Sequence, residues 1–568
     1  MFTPLTIMSI RDLREKKMHI KSLTVALISL LITIFNSTDL FAQEGKIISR
    51  DKLIQDVRVF CKIIEDSHPD PYIGGGGKIA FHRRLQETLQ SIPLEGMEKE
   101  DFYKLMLPFV ASIKDAHTAI SLPENDGGSS LELPLELRII EDKVYVAGVF
   151  FDEHRQFVGD ELTGVEGFPF AELIERQRKI KGYENDYGNL INLVRNLKSQ
   201  AGLQALLPEW KSKDKIRISL KRYKSSPQEH WFALSASLPE HCLSRPSKIE
   251  LPKIDERDPS YKFLNSKKSI ALLRVDNMTN YREAFEHYYN LGLKMTESRS
   301  REVYRRFLKS EPPENTEKVI ARIPAVTDTF MALVKEMKDA GTKTLLIDLR
   351  FNEGGDSLMS DILIYYLYGW DLYDRIRDGY EITKYSDLYF LAFKNKNIED
   401  INEGRAVPLL KNDYNFDDYF KAKKQSIKEN KEDKYDIFAN KTTTFANEIK
   451  NGEYEAYYCP DNVIVLTSPE TFSSGFWLAA DLSKASAKLV GTASSQAGNS
   501  FGDVISWNLP NSGIFCSVST KQFVLFPDDS KKGKILNPDC ELTYEKLAAY
   551  DFDPNAEVLL ALEYVSEK

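Results

Sequence analysis

Apolar positions in the first part of the chain recur at helical spacing. LIQDVRVFCKIIEDSHP (53–69) sets Leu53, Val57, Phe60, Ile63 and Ile64 on one face, which predicts an amphipathic helix ending before His68-Pro69. FHRRLQETLQSI (81–92) and FYKLMLPFVASI (102–113) repeat the pattern, so a helical domain is expected over 43–125. The period then shortens to two. LPLELRII, DKVYVAGVF and RISLKRY alternate as half-buried strands do, with one helix at AELIERQRKI, giving a β-rich domain over 126–250. A polar linker, LPKIDERDPSYK (251–262), follows. The last part carries unbroken apolar runs at 270–275, 344–349 and 463–466, separated by helical stretches. Such runs suit strands buried on both faces, so an α/β core is expected over 251–568. Its charged insertions near 297–318 and 411–455 read as solvated helices or loops.

Composition narrows the partners. At 568 residues the chain exceeds one compact core, and 42% hydrophobic with 28% charged residues is ordinary for a globular protein. A net charge of −9 argues against nucleic acid, which needs a basic surface. The five cysteines form no CxxC pair and have no histidine at metal spacing, so they read as buried thiols with at most one disulfide; no metal or organic cofactor is implied. At the N-terminus, Met18-His19-Ile20-Lys21 precedes the 13-residue run LTVALISLLITIF and then NSTDLFAQ. This reads as a start at Met18 after an upstream extension, with a signal peptide cut after Ala42. Residues 1–42 are therefore expected to be removed, leaving an exported protein, periplasmic or extracellular, with no stable membrane insertion; the lesser alternative is an uncleaved anchor.

Two segments could carry chemistry. In VIVLTSPETFSSGFWLAADLSKA a buried strand ends at Leu466 and a helix begins at Ser473-Ser474. Serine is a favoured N-cap, worth roughly 1 kcal/mol, and capping alone accounts for the pair. The alternative is a nucleophile whose developing charge the helix N-terminus favours. The second segment, TKTLLIDLRFNEGGDS, ends a buried strand in a loop with two glycines. An isolated Asn-x-Gly-Gly would be a tight turn. Beside a serine at the end of a second strand, its bare N–H groups could form an oxyanion hole.

Together the two segments resemble the tail-specific, or C-terminal processing, serine peptidase family. Its DLR-x-N-x-GG strand–loop matches Asp348 to Gly355, its nucleophile element matches Thr471-Phe472-Ser473-Ser474, and its VG strand matches Leu489-Val490-Gly491. Asp115-Ala116-His117-Thr118 resembles the family's D-x-H-T, and GDELTGVEG (159–167) resembles a segment of its PDZ-like domain. LPNSG (509–513) and NPDCELT (537–543) match later segments.

The resemblance implies Ser473 as nucleophile, with Ser474 as the one-residue alternative. Its oxyanion donors would be Gly354, Gly355 and Ser474. Many relatives activate the serine with a lysine in the loop after VG, but GTASSQAGNSFGD holds none. A hydroxyl needs a base, and the tricorn-like branch of the family uses a histidine, which makes His117 the base. Asp528 is the candidate third member, while Asp115 is expected to orient the loop around His117. Phe476 stands where many relatives carry a glutamate. The implied function is hydrolysis of peptides or proteins through an acyl-enzyme on Ser473. The alternative is a catalytically inactive peptidase fold that binds peptides or small apolar ligands, as retinoid-binding relatives do.

Overall fold

The computed structural model describes residues 47–566 apart from 123–130, 212–213, 254–258, 377, 394–396, 426–437 and 451–457. The expected signal segment, and parts of the linker and of the second charged insertion, lie outside the described residues.

Six strands make the central sheet, in the order Cys540–Glu541, Lys488–Gly491, Asn462–Thr467, Thr344–Asp348, Ile270–Arg274, Ser260–Phe263. All neighbours are parallel except the last pair. The apolar runs are buried on both faces, as their composition predicts. Leu273, Leu345, Ile347, Val463 and Val465 pack against helices Val326–Ala340, Leu358–Arg375 and Ser474–Lys484. The alternate residues Leu272, Leu346, Ile464 and Leu466 pack against the C-terminal helices Tyr544–Ala549 and Ala556–Ser566. Within the first charged insertion, Thr296–Leu308 forms a helix with a small apolar cluster of Phe285, Val303, Ile320 and Ile323.

The N-terminal helices Arg50–Ser67, Gly77–Gln90 and Lys99–Ala111 fall where the periodicity places them. They do not close a core of their own. Their cluster takes in Leu509, Ile514, Cys516 and Val518 from a hairpin of strands Asn499–Asn508 and Phe515–Val524. The LPNSG turn of that hairpin is fixed by buried Asp56, which accepts the N–H groups of Asn511 and Ser512. A three-residue strand, Ala119–Ser121, leaves the helices and pairs antiparallel with Phe515–Val524. This pairing carries the D-x-H-T segment to the C-terminal part of the chain. The hairpin belongs to a second, five-stranded sheet that its mixed polar pattern did not announce.

Between 131 and 250 a seven-stranded sheet forms in the order Leu135–Ile140, Lys143–Val149, Glu161–Val165, Lys215–Lys221, Gln228–Ala233, with two short strands beside it. In GDELTGVEG, Glu166 and Gly167 both take positive φ, 52° and 84°, as a two-residue hairpin turn requires. All five cysteines are free. The expectation of uniformly buried thiols fails for Cys242 and Cys459, which lie exposed in connections just before strands rather than in a core. Among the described residues no helix is long and apolar enough to cross a membrane.

Candidate active site

The loops after Thr344–Asp348 and Asn462–Thr467 meet at the carboxyl ends of adjacent parallel strands, where open α/β sheets place ligands. Buried ionic contacts fix the first loop. Arg350 is fully buried and makes two hydrogen bonds of 2.8 Å to Asp348, with further bonds to Glu557 at 2.6 Å and Asn555 at 3.1 Å. The DLR motif thus staples the sheet to the C-terminal helix. Burial alone would raise the Asp348 carboxyl, but the Arg350 charge and hydrogen bonds outweigh it and hold it below the usual range. Asn352 then shapes the turn: its Oδ1 accepts the Gly354 N–H at 2.8 Å and its Nδ2 donates to the Val275 carbonyl.

The second loop is tied to the first. Thr471 Oγ1 donates to the Leu349 carbonyl, Ser468 Oγ to the Arg350 carbonyl, and the Phe472 N–H to the Asn352 carbonyl. Held this way, Ser473 adopts φ 51° and ψ −125°. A non-glycine residue there stores about 1–3 kcal/mol of backbone strain. Ser473 precedes helix Ser474–Lys484, yet its side chain makes no cap hydrogen bond, so the capping explanation does not hold for it. Its hydroxyl has no partner among the described residues, whereas its N–H donates to Gln496 Oε1 at 3.2 Å. Ser474 differs: its Oγ donates to the Gly355 carbonyl at 2.7 Å and lies 2.9 Å from Ser357 Oγ.

The three candidate oxyanion donors separate in the same way. Gly354 spends its N–H on Asn352, while the N–H groups of Gly355 and Ser474 have no partner among the described residues. Gly354 has φ 101°, and a Cβ on it would lie 2.6 Å from Ser473 Cβ and 2.8 Å from Ser474 N. Glycine is required there for close approach, not for donation.

His117 reaches this region through the Ala119–Ser121 strand. Its ring stacks on Phe472, the residue before Ser473, at 4.9 Å between centroids. No hydrogen bond joins it to either serine among the described residues, and its Nδ1 is buried without a partner. Burial lowers the His117 pKa and nearby Lys181 lowers it further, against an opposing effect of Asp115. Asp115 lies behind the loop. It accepts from the His117 N–H at 2.9 Å, Thr118 Oγ1 at 2.5 Å, Ser519 Oγ at 2.6 Å and His68 Nε2 at 3.2 Å. The expected loop-orienting role of Asp115 thus has a geometric basis, and His68 is its buried partner.

Asp528 does not join this group. It is exposed in the turn after Phe515–Val524, where the chain heads into the short helix Ser530–Lys534, and the carboxylates beside His117 are Asp115 and Glu184. Lys521, the first lysine beyond the VG strand, is ion-paired with Glu381 at 2.9 Å and Asp503 at 3.3 Å, which keeps it charged and unfit as a base. Phe476 is buried in the core. Sequence reading passed over Gln496 and Glu184, since a lone amide and a lone acid in turns carry no motif.

Residues 319–542 match the family model described as Peptidase family S41. No curated protein matches the chain. Among solved structures, mature CPAF is similar over 90% of this chain and 96% of its own, with a TM-score of 0.52 at 13% identity. Mature CPAF complexed with lactacystin gives 0.51 at 14% identity, covering 90% of this chain and 98% of that one. At such identity the likeness shows the fold. The photosystem II D1 C-terminal processing protease aligns over 87% of this chain and 94% of its own, at 11% identity and a TM-score of 0.38. Residues 319–542 thus match a peptidase family S41 domain, and the likeness to mature CPAF extends the same fold over most of the chain.

Proposed function

We propose that the chain is an exported serine endopeptidase that cleaves peptide bonds through an acyl-enzyme on Ser473. The observation that carries this reading is the state of Ser473 itself: a strained residue at a helix N-terminus whose hydroxyl neither caps the helix nor bonds to any described residue. Ser474, with its hydroxyl committed to Gly355 and Ser357, is the poorer nucleophile.

In the proposed reaction Ser473 Oγ attacks the scissile carbonyl while His117 takes its proton. The oxyanion is received by the N–H groups of Gly355 and Ser474, aided by the helix N-terminus. His117 then returns the proton to the leaving amine, and water hydrolyses the ester. The imidazole has to turn from Phe472 onto the serine, a movement consistent with catalytic hydrogen bonds that tighten only with substrate bound. Burial favours neutral His117, the form a base requires. The seven-stranded sheet over 131–250 would act as a PDZ-like module, adding a substrate strand at its edge. The missing hydrogen bond between His117 and Ser473 favours the second reading, an inactive fold that binds peptide or small apolar ligands.

Hydrolysis of an unfolded fluorogenic protein by the full chain separates the two. The peptidase reading expects turnover that Ser473→Ala abolishes and His117→Ala lowers about 10²–10⁴-fold. Turnover unchanged in Ser473→Ala rejects the assignment. No turnover, with ligand retained through purification, selects the binding protein.

A further inference from the structure

Three buried polar atoms near the proposed base lack partners. They are His117 Nδ1 and both carboxylate oxygens of Glu184. Burying a carboxylate without a donor costs several kcal/mol, and such groups in folded proteins usually have a purpose. Glu184 lies in the GYEN turn before helix Asp186–Lys198, and its carboxylate, the His117 ring and Asp115 approach one another within 4.8 Å. Asp115 is also near, 3.8 Å from His117 Nδ1, but its two oxygens already accept from four donors. Three of these fall on Oδ2 and one on Oδ1, so most of its accepting capacity is already spent on holding the loop. Neither oxygen of Glu184 has such a side-chain donor.

We infer that Glu184 is the acid that orients His117, pairing with Nδ1 when the imidazole turns from Phe472 toward Ser473. Glu184 is a positioning residue, since it acts through His117. The inference rests on the peptidase reading for its catalytic meaning, though not for its geometry. The charged groups facing His117 are Asp115, with His68 behind it, Lys181 and Glu184. Burial first, and then the Asp115 charge, push the Glu184 carboxyl up to about 8. Glu184 therefore holds its proton while Nδ1 is unpaired, and pairing with the imidazolium favours its ionised form. Glu184 comes from the middle region, His117 from the N-terminal region and Ser473 from the S41 domain, so all three regions must be docked for the site to be complete.

The test is the titration of His117 by NMR in the full chain with carbon-13-labelled histidine, His117→Gln giving the assignment. Within the pair the carboxylate is ionised beside the imidazolium, and an opposite charge within about 4–6 Å raises a histidine pKa by about 1–3 units, so if the pair forms Glu184→Gln should lower the midpoint by about one pH unit or more. Glu184→Asp should restore part of it. In an active chain Glu184→Gln should also lower kcat about tenfold or more with KM nearly unchanged. A His117 midpoint unmoved in folded Glu184→Gln overturns the inference. Should that variant not fold, Glu184→Asp decides alone: a midpoint and melting temperature both at wild-type values, with no downfield imidazole N–H signal in either chain, overturn it too. Because the titration needs no turnover, an inactive chain would defeat the peptidase reading and leave this result to be judged separately.

Discussion

Gly354 offers a sharp test of how the site is built. In Gly354→Ala the new Cβ would sit 2.6 Å from Ser473 Cβ, 2.8 Å from Ser474 N and 2.9 Å from the Phe472 carbonyl. Reaching ordinary contact at 3.4 Å requires the two loops to part by roughly 0.8 Å. The neighbours are main chain and a short side chain, so no flexible group can absorb the change. Backbone strain adds about 1–3 kcal/mol, because alanine tolerates φ near 101° poorly. The displaced atoms are the nucleophile and one oxyanion N–H, and losing one such donor costs about 10²–10³ in rate. The variant should therefore acylate at least about 10²-fold more slowly, measured as the rate of reaction with a fluorophosphonate probe. Its melting temperature, followed in parallel, should fall only modestly, since the core strands are untouched. Labelling of a folded Gly354→Ala chain at the wild-type rate would show that the close approach of the two loops does not shape the nucleophile.

Other consequences follow from the buried ionic cluster. Arg350→Met leaves Asp348 and Glu557 buried with fewer partners, and urea unfolding at pH 7 should show a loss of about 3–5 kcal/mol. In the wild type the pH dependence follows from the depressed carboxyls. Burial would raise Glu557, but Arg138 and then Arg350 draw it down, and Asp348 is likewise lowered. Groups with depressed folded pKa values stabilise fully above the unfolded carboxylate range near 4 and lose that contribution as pH falls through their folded values. The wild type should thus weaken below about pH 4. Arg350→Met should lose less stability relative to wild type at pH 4 than at pH 7, and an equal loss at both would contradict the assigned cluster. Ser474→Ala removes a hydroxyl donating to the Gly355 carbonyl; it should cost about 1 kcal/mol by urea unfolding and leave probe labelling present, whereas loss of labelling would favour Ser474 as nucleophile.

The central sheet was legible because its strands are buried on both faces, and unbroken apolar runs such as TLLID announce that directly. The helix positions of the N-terminal region were legible for the same reason, through Leu53, Val57, Phe60 and Ile64. That those helices share a core with Ile514, Cys516 and Val518 was not, since contacts across some 400 residues leave no local pattern. Motif order pointed to Ser473, but only the backbone angles and the hydrogen bonds of Ser474 distinguish the two serines. Asp528 was read from its position relative to the NPD segment, and a polar acid near a turn gives no sign of facing solvent. Glu184 was passed over because its importance lies in burial without a partner, which only tertiary structure creates.

The most direct measurement is the site of covalent modification. The full chain is incubated with a fluorophosphonate at neutral pH, digested, and the adduct located by mass spectrometry within the segment 467–484. The account predicts a single phosphonylated residue, Ser473, with none on Ser474 and none in Ser473→Ala. An adduct on Ser474, or no adduct on a folded chain, would contradict it.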